Sequence, residues 1–101
     1  TYYNATVVLK GADTVVAQHD RHEVITFGSA VLSKAGTGDI LAGTIGGLLA
    51  QDMDPYEACI LGVSIHAKAG LLAQDKFGIV SASAEEVLEN IPGAFLSYQE
   101  S

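Results

Sequence analysis

The run Lys34-Ala35-Gly36-Thr37-Gly38-Asp39-Ile40-Leu41-Ala42-Gly43 constrains this chain more than any other stretch, because it joins a glycine-rich turn to an apolar helix with an acid on its first turn. Glycine lets a backbone turn sharply and approach a ligand closely, and a helix start leaves several N–H groups unpaired and pointing outward. A phosphate fits such a cradle. A carboxylate beside a bound anion weakens affinity, so Asp39 there points to chemistry, the acceptance of a proton from a hydroxyl that attacks phosphorus. Acids are also favoured in the first turn of any helix, by about 0.3 to 1 kcal/mol. Asp39 alone would therefore carry little, and the close glycines tip the reading toward function.

Composition limits what can surround this turn. A chain of 101 residues is enough for one domain with a modest core and not for two. With 49% hydrophobic and 17% charged residues it is not a disordered tail. No stretch supplies the ~20 apolar residues of a membrane-spanning helix. No charged-then-apolar leader opens at Thr1, so a soluble, cytoplasmic protein with no membrane partner is expected. The net charge of −7, with five basic residues scattered, argues against polymeric nucleic acid. A mononucleotide stays open, because backbone amides and one or two lysines can hold phosphates locally. The single cysteine, Cys59, sits in an apolar helical run and is expected in the core.

Along the chain, Thr6-Val7-Val8-Leu9 reads as a buried strand ended by the turn chemistry of Lys10-Gly11-Ala12-Asp13. Thr14-Val15-Val16-Ala17 and Glu23-Val24-Ile25-Thr26-Phe27 continue a short meander, and His19-Asp20-Arg21-His22 reads as a polar hairpin turn rather than a metal site. Lys10, at the end of a buried strand, is either a phosphate ligand or a solvated surface lysine. After the cradle, Leu41, Ile45, Leu48 and Leu49 recur at helical spacing. Gly43, Gly46 and Gly47 suggest that this helix lies buried under the sheet with a close neighbour. Asp54-Pro55-Tyr56-Glu57 starts a second helix, with Ala58, Leu61, Ile65, Ala69 and Leu72 on one face and His66 as a hydrogen-bonded core residue. Its exit is expected at residues 75–81, with Gly78 available for a left-handed turn. A capping box at Ser83-Ala84-Glu85-Glu86 opens a third helix, with Val87, Leu88 and Ile91 inward and Pro92 as its stop.

The run Ala35-Gly36-Thr37-Gly38-Asp39, followed by Leu41-Ala42-Gly43 and Gly46-Gly47-Leu48-Leu49-Ala50-Gln51, resembles the anion-hole motif of ribokinase-like kinases. The wording is most similar to the ADP- or ATP-dependent NAD(P)H-hydrate dehydratases, with support from residues 7–14 upstream and from residues 54–58, 61–63 and His66 downstream. The pattern departs from the family at Ala35, where glycine is common, at Ser29-Ala30, where Asn-Pro is usual, and near Ser83, where an acid is often found.

The resemblance implies a ribokinase-like three-layer α/β/α fold, of which residues 1–101 form the carboxyl-terminal part of a single domain. It implies an enzyme, a hydro-lyase that restores NADH and NADPH from the hydrates NADHX and NADPHX with ADP or ATP as co-substrate and magnesium on the nucleotide. Asp39 would be the catalytic base and would contact the hydrate. Lys10, Gly11, Ala12, Asp13 and Thr14 with Gly36, Thr37 and Gly38 would bind the nucleotide, and residues 27–33 would wall its pocket. The missing amino-terminal half and further copies of the chain are the implied protein partners. No metal-ligand set is visible in the sequence. A vitamin-precursor or sugar kinase of the same superfamily, and a non-catalytic nucleotide-binding half-domain, remain alternative readings, as does the choice between ADP and ATP.

Overall fold

β-Branched residues separated by tight turns make an antiparallel meander at the front of the chain. The computed structural model describes residues 2–3, 6–10, 13–19 and 21–99, the backbone alone at 2–3 and 99. Gly11 and Ala12 of the expected nucleotide site lie outside the described residues. The strands are β1 (Tyr2–Tyr3), β2 (Thr6–Leu9), β3 (Thr14–Gln18) and β4 (Arg21–Ile25), in spatial order β1-β2-β3-β4. Register pairs Val8 with Val16 and Leu9 with Val15, and closes the last hairpin at Gln18 and Arg21. That tight closure, with His19 at φ 48, starts β4 two residues earlier than the expected strand at Glu23 and leaves Phe27 exposed beyond it.

Alternation gives the sheet two faces. Val8, Val16 and Ile25 are buried on one of them, where the Gln18 amide donates to the Thr6 hydroxyl at 2.9 Å. The other face carries Val7, Leu9, Val15 and Val24, with Leu9 57% and Val24 44% exposed. β2 lies between two strands of the chain itself: Tyr2 and Tyr3 stand opposite Val7 and Thr6, and Val7 to Leu9 stand opposite Ala17 to Val15.

Among the described residues, four helices follow a short 3-10 helix at Ala30–Ser33: α1 (Thr37–Ala50), α2 (Pro55–Ser81), α3 (Ala84–Glu89) and α4 (Ile91–Gln99). The architecture is mixed α/β. The Asp54 carboxylate accepts the Glu57 N–H at 3.2 Å, with Pro55 at the first helical position, so α2 begins where the sequence places it. The Arg21 guanidinium lies 4.0 Å over the Tyr56 ring and 3.6 Å from Asp54, fixing the start of β4 on the start of α2. One side of α2 gives Tyr56, Cys59, Val63 and Ala67 to a core shared with Val8, Val16, Ile25, Leu41 and Ile45. Its other side gives Ile65, Ala69 and Ala73 to a second core with Val31, Ala82, Val87 and Ala94. Cys59 is buried as expected, and burial raises its thiol pKa.

Three local expectations are corrected. Only the stripe Thr37, Leu41, Ile45 and Leu48 of α1 is buried, while Gly43, Gly46 and Gly47 are exposed and have no atom in the way of an added methyl group. The close approach comes from the other helix: a methyl at Gly62 of α2 would stand 2.5 Å from Ile45 Cγ1. The exit of α2 falls within residues 75–81 as expected, with Gly78 off the helical path at φ 78 and ψ 166, a conformation open to glycine. Leu88 is 56% exposed, and Pro92 sits in the first turn of α4, where its missing N–H is not needed. The break falls at the buried Asn90, whose side chain donates to Glu86 O at 2.7 Å and accepts from Lys76 Nζ at 2.8 Å.

Gly62→Ala is expected to lower stability by about 1–3 kcal/mol through overpacking against Ile45. Gly46→Ala, on the open side of α1, is expected to raise it by about 0.5–1 kcal/mol. Urea titration of both variants checks the opposite signs; a loss at Gly46 would put a neighbour against that face.

Candidate active site

Residues 26–29 leave β4 and enter the 3-10 helix, whose N-cap Ser29 accepts the Val31 N–H at 3.1 Å and donates to Gln74 Oε1 at 2.5 Å. Gly36 then turns the chain at φ 90, a left-handed conformation that any side chain would strain. As N-cap of α1 it carries no side chain that could cap the first-turn amides. Thr37 is 2% exposed. Its hydroxyl lies 2.6 Å from Leu32 O and 2.9 Å from Lys34 O, sharing one proton between two carbonyls. Its own carbonyl accepts from His66 Nε2 at 2.9 Å, so the histidine carries its proton on that nitrogen.

These contacts frame a cleft of about 640 Å³. Lys10, Thr14 and Ile25 line it from the ends of the strands, residues 26–30 and 32–34 from the connection, Thr37, Gly38 and Leu41 from α1, and Val63, His66 and Ala67 from α2. The ammonium of Lys10 lies 4.0 Å from the point where a Cβ on Gly38 would stand, so a cation and a helix N-terminus share one opening. Asp39 is exposed on the first turn of α1. Of the expected residues, Lys10, Thr14, Thr37 and Gly38 come together around the cleft. Asp13, Gly36 and Asp39 are not among the described lining residues, although Gly36 and Asp39 adjoin Thr37 and Gly38 in the chain.

Burial lowers the His66 pKa, Lys10 adds to the lowering, and the bond to Thr37 opposes it. The imidazole is thus a neutral donor that supports the start of α1. His66 is a hydrogen-bonded core residue, as its sequence setting suggested, and it also forms a wall of the cleft. Val63 and Ala67 flank it at helical spacing, which was the available sequence signal for that wall. Lys34 was assigned no role in the sequence. Its ammonium donates to Ile79 O at 2.5 Å, Val80 O at 3.1 Å and Ala82 O. Among the described residues no three His, Cys, Asp or Glu side chains gather as ligands for one metal ion.

The arrangement can hold an anion between amides and a lysine, beside the apolar side chains of Leu41, Val63 and Ala67. A family model described as NAD(P)H-hydrate dehydratase matches residues 1–93. The chain is 38% identical over 90 residues to the bifunctional NAD(P)H-hydrate repair enzyme Nnr of Escherichia coli strain K12, covering 88% of this chain and 18% of that protein. It is 41% identical over 80 residues to the ADP-dependent (S)-NAD(P)H-hydrate dehydratase of Neisseria meningitidis, covering 78% and 27%. To the enzyme of the same name from Natrialba magadii it is 43% identical over 82 residues, covering 81% and 31%. The chain thus spans between about a fifth and a third of the length of these relatives.

Because the folded-state pKa of His66 is below the ordinary 6.5, the unfolded chain binds a proton that the folded chain refuses. His66 therefore contributes stability above that value, lost as pH falls toward the folded pKa. Urea midpoints at pH 7.5 and 5.5 should drop in the wild type, and the drop should shrink in His66→Gln.

Proposed function

The chain belongs to the NAD(P)H-hydrate dehydratase family, and from that premise we propose that it supplies the nucleotide-phosphate side of an ADP-dependent enzyme that dehydrates NADHX and NADPHX to NADH and NADPH. The observation that supports this reading best is the meeting of Lys10 with Gly38 at the glycine turn, one residue before an acid. ADP is favoured over ATP by the names of the similar proteins.

In this reading the amides of residues 36–39 and the Lys10 ammonium hold the terminal phosphoryl group, with Thr14, Thr37 and Gly38 along the nucleotide. Residues 11–13 extend that contact. Asp39 accepts the proton of the ring hydroxyl as its oxygen attacks the terminal phosphorus of ADP, and the bond from that phosphorus to the bridging oxygen breaks, releasing AMP. Phosphate then leaves with the C–O electrons while the ring nitrogen pushes in electrons and the neighbouring carbon gives up a proton, which restores the double bond. Magnesium travels with the nucleotide.

We also propose that this chain is the later part of one ribokinase-like three-layer domain. The apolar outer face of the sheet, with Leu9 and Val24 exposed, supports a further layer against it. The rest of the domain would supply that layer and much of the hydrate-binding wall.

Two substitutions test the reading in the full-length protein. Asp39→Asn should keep ADP affinity near wild type and lower turnover by about 10²- to 10⁴-fold, the range for loss of a general base. Calorimetry with a coupled NADH absorbance assay separates the two; loss of affinity with turnover per complex intact would make Asp39 a helix cap. Gly38→Val should weaken ADP binding by about tenfold or more by crowding the amides. Normal binding in equilibrium dialysis would remove the cradle.

A further inference from the structure

Lys34 belongs to the glycine turn in sequence, yet its side chain reaches across to the far end of α2. There the helix path is broken at Gly78, and the carbonyls of Ile79, Val80 and Ala82 converge on the ammonium. α2 has no basic residue in its own last turn, so its carbonyl end would otherwise present negative potential. That end is next to the cradle: a methyl group at Gly36 would stand 3.1 Å from Ala84 Cβ, just after the three carbonyls in the chain. Oxygens clustered beside a phosphate site oppose anion binding unless a cation sits between them and the ligand.

We propose that Lys34 is a positioning residue for the anion cradle. Its ammonium ties the connection after α2 to the glycine turn and cancels the field of three carbonyl oxygens beside the phosphate. The division between the two lysines follows: Lys10 meets the nucleotide, and Lys34 prepares the ground on which it lands. The proposal rests on the nucleotide reading of the cleft.

A consequence separates this role from simple packing. Removing the ammonium leaves a cage of three carbonyl oxygens, the kind of site in which potassium or ammonium ions exchange water for carbonyls, while the tightly hydrated lithium ion does not. In the full-length protein, Lys34→Ala should bind ADP about tenfold more weakly in lithium chloride. Affinity should return toward wild type in ammonium or potassium chloride at equal ionic strength, with the wild type indifferent to the salt. Unchanged affinity in Lys34→Ala, or a loss that no cation restores, would overturn the proposal. Should the alanine variant not fold, Lys34→Arg keeps charge and donors and should bind ADP within about threefold of wild type; a folded arginine variant tenfold or more weaker would also overturn it. If the wild type itself fails to bind ADP, the functional reading falls and hydrogen exchange decides on Lys34. Amides of residues 79–84 should then exchange faster in Lys34→Ala and slow again with ammonium, and an unaltered pattern would sink the tie.

Discussion

The cleft side of the chain depends on how Thr37, buried at the start of α1, satisfies its own hydroxyl and carbonyl. An unpaired buried donor or acceptor costs about 1–3 kcal/mol. Here one hydroxyl serves the carbonyls of Leu32 and Lys34, and one imidazole serves the carbonyl of Thr37. These contacts bind the 3-10 helix, the glycine turn, α1 and α2 into one unit. Side chains at this junction go to acceptors, and the N-cap glycine leaves the first-turn donors uncapped. A helix start arranged in this way presents N–H groups outward, so the same choices that stabilise the turn make it a place for an anion.

α2 is the spine that lets this junction hold. It separates two cores and gives small residues to both, so that Ile45 of α1 comes down onto Gly62 and the 3-10 helix packs beside it. Its first turn is tied to β4 through Arg21, Tyr56 and Asp54, and its far end to the turn through Lys34. The cleft lies between these ties, bounded by strand ends on one side and α2 on the other. In a chain with net charge −7, Lys10 and the uncapped start of α1 still meet at this cleft, a local positive feature that screening separates from a distant acidic average.

Much of this is legible in the sequence. The strands Thr6–Leu9 and Thr14–Gln18 follow from β-branched runs between turn residues, and the starts of α2 and α3 from Asp54-Pro55 and from Ser83 with Glu86. The glycine turn, and Gly38 and Lys10 as its neighbours across a cleft, follow from the motif and its resemblance. These features are local: a cap, a turn or a strand is decided within a few residues by backbone conformation and unpaired N–H groups.

Only the tertiary structure decided which glycines are contacts. Gly43, Gly46 and Gly47 looked like a packing face and are open, whereas Gly62 and Gly70 meet Ile45 and Leu32. It also decided that Leu88 faces out, that Pro92 starts a helix instead of ending one, and that Lys34 turns away to the end of α2. The residue type states what a position can tolerate, such as a left-handed turn, a missing N–H or a charge. What it touches depends on how α2 crosses α1 and where its last carbonyls fall, and that geometry is set by many distant contacts together.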